Sequence, residues 1–197
     1  MAIVFSALAS ITVTAVMVLY FRQTVKGSST PNPATWLIWV VVGVMNLVSY
    51  YSVVRGNILE WIMTPCGTLG MIAIFIYALL KGKFGKVGAT EIICIILAII
   101  VGIIWKTRGP VVANISLQVI FAISFYPTAA GLIKGRLRER PLPWALASMS
   151  YIFLVLTVLC NFTGDDWTKL VYPIVNGVFG NGSILVIILV LRRCKAI

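Results

Sequence analysis

Seven stretches of this chain, residues 2–21, 34–54, 59–80, 90–105, 111–133, 144–162 and 170–191, carry no Lys, Arg, Asp or Glu beyond their first two positions. About 20 apolar residues in a helix are enough to cross the hydrocarbon core of a bilayer. No water is present there to satisfy loose amides and carbonyls, so such stretches must be helices. The fold class that follows is all-α integral membrane with seven transmembrane helices, the fourth being the shortest. A soluble fold is excluded by composition: 11% of residues are charged and 60% hydrophobic, where soluble domains run to roughly a quarter charged. Residues 2–21 read as a retained first helix, because no basic residue precedes Arg22 and no cleavage site follows.

The breaks between stretches hold turn chemistry, including Gly27 to Pro31, Arg55-Gly56-Asn57 and Arg108-Gly109-Pro110. They also hold the charge. With the N-terminus outside, the cytoplasmic side takes Arg22, Lys26, Lys81, Lys83, Lys86, Lys134, Arg136, Arg138, Arg140, Arg192, Arg193 and Lys195. The outer side takes only Arg55, Lys106, Arg108 and Lys169. Cytoplasmic loops collect Lys and Arg, so the expectation is N-out and C-in, in a plasma or inner membrane. Because the 16 basic residues sit at the ends of apolar runs, the net charge of +11 implies lipid as a partner and no nucleic acid.

An internal repeat is legible. The first and fifth segments end in Thr24-Val-Lys-Gly27 and Thr128-Ala-Ala-Gly131. Pro31-Asn-Pro33 then Trp36 precede and open the second segment, as Pro141-Leu-Pro143 then Trp144 do for the sixth. Trp61 then Pro65 open the third, as Trp167 then Pro173 open the seventh. Two three-helix bundles, residues 1–82 and 111–197, are thus expected around a linker helix in 83–110. An odd-numbered unit needs one linking helix if both copies are to point the same way, which makes the repeats parallel.

In the second half, Phe125-Tyr-Pro127-Thr128, Pro143-Trp144-Ala-Leu146-Ala-Ser148, and Asp166 followed by Pro173 and Gly177 resemble motifs of the SWEET and PQ-loop superfamily of small transporters. That resemblance implies a three-one-three fold, alternating access with prolines as hinges, and homo-oligomers as a common state. The sugar-carrying members have an asparagine directly after the seventh-helix proline, where this chain has Ile174. The implied cargo is therefore left as a small neutral polar solute, with a sugar among the candidates.

No segment carries an ionisable residue near its middle. Such groups mark proton relays and ion pathways, so passive uniport is expected rather than proton coupling. The substrate-pathway candidates are the amides and hydroxyls at membrane depth: Asn176, Asn181, Thr64, Thr68, Asn46, Ser49, Asn114, Gln118 and Ser124, with Trp39 one turn inside its segment. Each offers donors and acceptors without fixed charge; the competing role is interhelical hydrogen bonding. The tryptophans at segment ends suit interfacial anchoring. Hinge or gate candidates are Pro33, Pro127, Pro143 and Tyr126. With no histidine and four dispersed cysteines, no metal, cofactor or enzyme active site is expected. The alternative to a transporter is a receptor or assembly subunit on the same scaffold.

Overall fold

The computed structural model describes residues 1–31, 33–81, 89–164 and 166–195. The 82–88 connection with Lys83 and Lys86, together with Asp165 and the side chain of Pro33, lies outside the described residues. Every regular element among the described residues is helical. They form seven rods: α1 (Ala2–Val25), α2 (Pro33–Val53), α3 (Ile58–Trp61 continued by Met63–Leu80), α4 (Ala89–Arg108), α5 (Pro110–Ile133), α6 (Pro141–Cys160) and α7. The last runs through Trp167–Tyr172, a π-helical stretch Pro173–Asn181, and Gly182–Lys195. Among the described residues, α1, α2, α3, α5, α6 and α7 are long and apolar enough to cross a membrane. The chain is a multi-pass membrane protein, with six such helices among the described residues.

The prolines act through the backbone bonds they cannot make. Proline has no N–H to donate to the carbonyl four residues earlier. In α3, Pro65 leaves the Trp61 carbonyl without that donor, and the helix breaks at Ile62. In α7, Pro173 leaves the Lys169 carbonyl, which instead accepts from the Tyr50 hydroxyl of α2 at 3.0 Å. The chain then winds as a π-helix to Asn181. The Asn181 amide nitrogen bonds back to the carbonyls of Asn176 and Gly177 at 3.1 and 3.2 Å.

Six rods close a ring. α3 sits between α1 and α2, and α7 sits between α5 and α6. The ring shuts where α1 packs on α6 and α2 packs on α5. Helix α4 lies outside, against α5 and more lightly against α2. The buried residues of α1 are Ser6, Ala9, Val13, Val16, Tyr20 and Thr24, a stripe at helical spacing turned to its two ring neighbours. Val4, Ile11 and Val18, on the other side of α1, are exposed, as apolar residues facing lipid should be.

Close approach within the ring depends on Gly177. A Cβ there would lie 2.0 Å from Tyr151 Cγ, at the root of a ring that cannot swing away. At Gly67 the same atom would meet Val13 Cγ2 at an ordinary 3.5 Å. Overpacking of this kind costs about 1–3 kcal/mol. We expect Gly177→Ala to lower the melting temperature in detergent by several degrees, at about 2–4 °C per kcal/mol. Gly67→Ala should leave it within about 1 °C. Equal melting of the two variants would contradict this packing.

Candidate functional site

A cavity opens inside the ring, and all six ring helices line it. Tyr20 of α1, Trp39 of α2, Met71 of α3, Phe125 of α5, Trp144 of α6 and Asn176 of α7 each contribute. The space open to water centres is about 60 Å³. One water needs roughly 10–15 Å³ by that measure, so the cavity as it stands holds a handful of waters and no monosaccharide. Its wall is aromatic and aliphatic, with the amides of Asn176 and Asn181 as the polar side chains beside two tyrosines.

The end of the cavity nearer the 134–140 loop is closed by an aromatic plug. Trp36 lies 5.0 Å from Tyr20 and 5.1 Å from Trp39, ring centre to ring centre, and Trp39 lies 5.2 Å from Phe125. Trp144 meets both Tyr20 and Trp39 edge-on, a geometry that favours aromatic pairs. Behind this plug lies a carboxylate. Glu139, in the loop between α5 and α6, accepts from the Tyr20 hydroxyl at 2.6 Å and from Trp144 Nε1 at 3.3 Å. The same loop is tied to the α1–α2 turn, where the Thr30 amide donates to the Arg138 carbonyl and the Arg138 amide to Thr30 Oγ1, both at 2.8 Å. A latch therefore joins the first half of the chain to the second at this end.

The opposite end has a second latch. Tyr172 packs between Tyr50, 4.9 Å away, and Tyr151, 5.5 Å away, and its hydroxyl shares a 3.0 Å hydrogen bond with that of Tyr151. The Asn176 amide reaches the Tyr151 hydroxyl at 3.2 Å. Beyond the tyrosines, Lys169 Nζ lies 3.3 Å from Glu60 and 3.1 Å from Asp166, with all three side chains buried. Asn57 Nδ2 donates to Glu60, and the Thr163 hydroxyl donates to Asp166. That hydroxyl, with Lys169, holds the Asp166 carboxyl down at about 2. Glu60 belongs to α3 and Lys169 to α7, so this ion pair also spans the two halves.

Between the ends, the α2–α5 wall is stitched by polar side chains. Asn114 Nδ2 donates to Asn46 Oδ1 and Ser49 Oγ at 2.9 Å each, and Gln118 Nε2 to Asn46 at 3.3 Å. Trp39 Nε1 donates to Ser124 Oγ at 2.7 Å, and Thr128 to Thr35 at 3.4 Å.

The sequence candidates thus divide. Asn176, Asn181, Trp39 and Pro143 line the cavity. Asn46, Ser49, Asn114, Gln118 and Ser124 form the α2–α5 seam instead. Thr64 and Thr68 are buried on α3, away from the cavity wall. Pro143 falls in the first turn of α6 and Pro33 opens α2, whereas Pro127 lies inside α5. Tyr126 is exposed on the outside of the ring. Sequence reading passed over Tyr20, Trp36, Trp144, Tyr151, Tyr172, Glu60, Glu139 and Lys169. Trp36 and Trp144 occupy matching repeat positions, a signal that could have moved them from interfacial anchors to the plug. The charged residues do lie at helix ends, as read, but they turn inward.

No protein-family model, curated protein or solved structure matches this chain.

Burial pushes the Glu139 carboxyl up from 4.5 to about 7, against the opposing hydrogen bonds from Tyr20 and Trp144. If this end opened, Glu139 would return to water and to its ordinary value. The closed end binds the proton more tightly, so low pH favours closure. That contribution is complete below about pH 4.5 and is lost as pH rises through about 7. Trp144 reports on it directly. Titrating tryptophan fluorescence from pH 5 to 9 should give a transition near 7, uncluttered because the chain has no histidine. Glu139→Gln should abolish that transition; its persistence in the variant would exclude Glu139 as the source.

Proposed function

We propose that this chain is a facilitative transporter of a small neutral polar solute, working by alternating access between two three-helix bundles, α1–α3 and α5–α7. The reading rests above all on one observation: a single cavity touches all six ring helices and is closed at each end by contacts that cross from one half of the chain to the other. A cavity of that kind can pass a solute if the two latches open in turn.

The ring order supports the repeat. Exchanging α1 with α5, α2 with α6 and α3 with α7 leaves every neighbour relation in the ring unchanged, as an axis along the bundle would require. Helix α4, outside the ring and absent from the cavity wall, fits the linker role. Together with the sequence motifs, this is our ground for placing the chain on the three-one-three plan of the SWEET and PQ-loop transporters, N-terminus out and C-terminus in. On that orientation the Glu139 latch is cytoplasmic and the Glu60–Lys169 latch is outside.

The two walls of the ring suit different parts in this motion. The stitched α2–α5 wall would hold its register as a hinge seam. The α1–α6 wall, tied by the Tyr20–Glu139 bond at its inner end, would carry most of the movement. The solute would meet aromatic faces and the two asparagine amides, a surface suited to a ring or chain with few hydrogen-bonding groups and no net charge. Nothing in the cavity supplies a counter-ion.

Purified protein in proteoliposomes, offered a panel of neutral sugars, amino acids and nucleosides, should give saturable flux for at least one solute. For that solute Asn176→Ala should reduce uptake by about tenfold, the loss of one hydrogen bond of about 1.5 kcal/mol. Seam variant Ser49→Ala should leave uptake nearly unchanged. Absence of flux for every solute in folded protein would overturn the transporter reading.

A further inference from the structure

A second cavity, of about 410 Å³, lies apart from the central one, where the 134–140 loop meets the end of α7 and the α1–α2 turn. Arg138, Arg140 and Arg192 line it, alongside Leu132, Ile188 and Leu191. Its charge arises from the local backbone. Gly135, at φ +66, turns the chain back after α5, and the amides of Arg136 and Leu137 bond to the Gly131 carbonyl. The chain from Arg136 to Arg140 then runs without helix, extended at Arg140 and fixed at Arg138 by the two bonds to Thr30. Neighbouring side chains of an extended segment point to opposite sides. Glu139 therefore points inward to Tyr20 and Trp144, while Arg138 and Arg140 point outward together.

The carboxylate that borders this cavity is thus already engaged through both oxygens. No described acidic residue forms an ion pair with Arg138, Arg140 or Arg192. Three exposed arginines line one cavity, beside three aliphatic side chains of membrane-length helices. Guanidinium groups bind phosphate oxygens in paired hydrogen bonds. A soluble anion has no use for the apolar side of such a site, whereas a phospholipid presents a charged head and an acyl chain at this depth.

We propose that this cavity binds the phosphate headgroup of an anionic phospholipid, held by Arg138, Arg140 and Arg192 with its glycerol and upper acyl chain against Leu132, Ile188 and Leu191. The site is independent of whether the central cavity transports a solute. The bound lipid would brace the loop that carries Glu139.

The test uses the full chain, first delipidated in detergent and then titrated with phosphatidylglycerol or phosphatidylcholine, with bound lipid counted by native mass spectrometry. Phosphatidylglycerol should bind at one saturable site that phosphatidylcholine does not fill. Arg138→Gln, Arg140→Gln and Arg192→Gln should each weaken it roughly fivefold. The control Arg193→Gln removes the same charge next to the cavity without lining it, and should leave affinity unchanged. Equal weakening by the control would reduce the effect to general surface charge and overturn the site. Equal retention of both lipids would do the same. Inorganic phosphate that competes as well as phosphatidylglycerol would make the ligand a free anion and overturn the lipid assignment. Because each substitution is single and exposed, melting temperature separates lost binding from lost fold.

Discussion

Inside a membrane a polar group must find its partner within the protein, and the placement of nearly every polar side chain here follows from that constraint. Hydroxyls on lipid-side positions bond back to their own helix, as Thr14 does to Ser10 and Ser116 to Val112. Amides pair across the α2–α5 wall, where Asn46 and Ser49 accept from Asn114 and Asn46 also accepts from Gln118. The charges that fold inward, Glu60, Asp166 and Lys169 at one end and Glu139 at the other, do so at the membrane boundary, where their desolvation is met by partners already in place. The middle of the ring is then left to aromatic and aliphatic side chains, with Asn176 and Asn181 at its edge.

The two latches are built from different chemistry. At the Lys169 end the closure is ionic, and its lysine carbonyl is made available to Tyr50 by the proline four residues on. Removing one partner of a buried ion pair commonly costs about 3–5 kcal/mol, because it strands the other charge, so this end tolerates substitution of Lys169 poorly. At the Glu139 end the closure is a tyrosine–carboxylate hydrogen bond over a tryptophan plug. Its strength varies with the protonation of a single group near neutral pH.

The helical class, the six membrane-length spans and the turns were legible in the sequence because each follows from local rules: apolar run length, proline at a first turn, and glycine where φ is positive. The site was only half legible. Asn176 and Trp39 declared themselves by type and depth. Tyr20, Trp36 and Trp144 did not, because an aromatic at a segment end looks the same whether it anchors at the interface or closes a cavity between helices. Glu139 was hidden for a similar reason: it sits among three arginines in a loop, and only the alternation of an extended chain turns it inward. Asn46, Asn114 and Gln118 had the right chemistry for a pathway, but pairing across helices claimed them instead. Contacts that depend on which helices become neighbours cannot be read from one helix at a time.

The central claim, two latches around one cavity that release independently, is best tested by distances across both ends of the same helix pair. Spin labels on Ile58 and Trp167 span α3 and α7 at the ionic end; labels on Leu80 and Arg193 span the same helices at the other, all four positions being exposed. With Cys66, Cys94, Cys160 and Cys194 replaced, double electron–electron resonance in nanodiscs reads both distances. Lys169→Met should lengthen the first and leave the second short; Tyr20→Phe should lengthen the second and leave the first short. If either substitution lengthens both distances, or neither moves any, the two ends are not separate latches and the account fails.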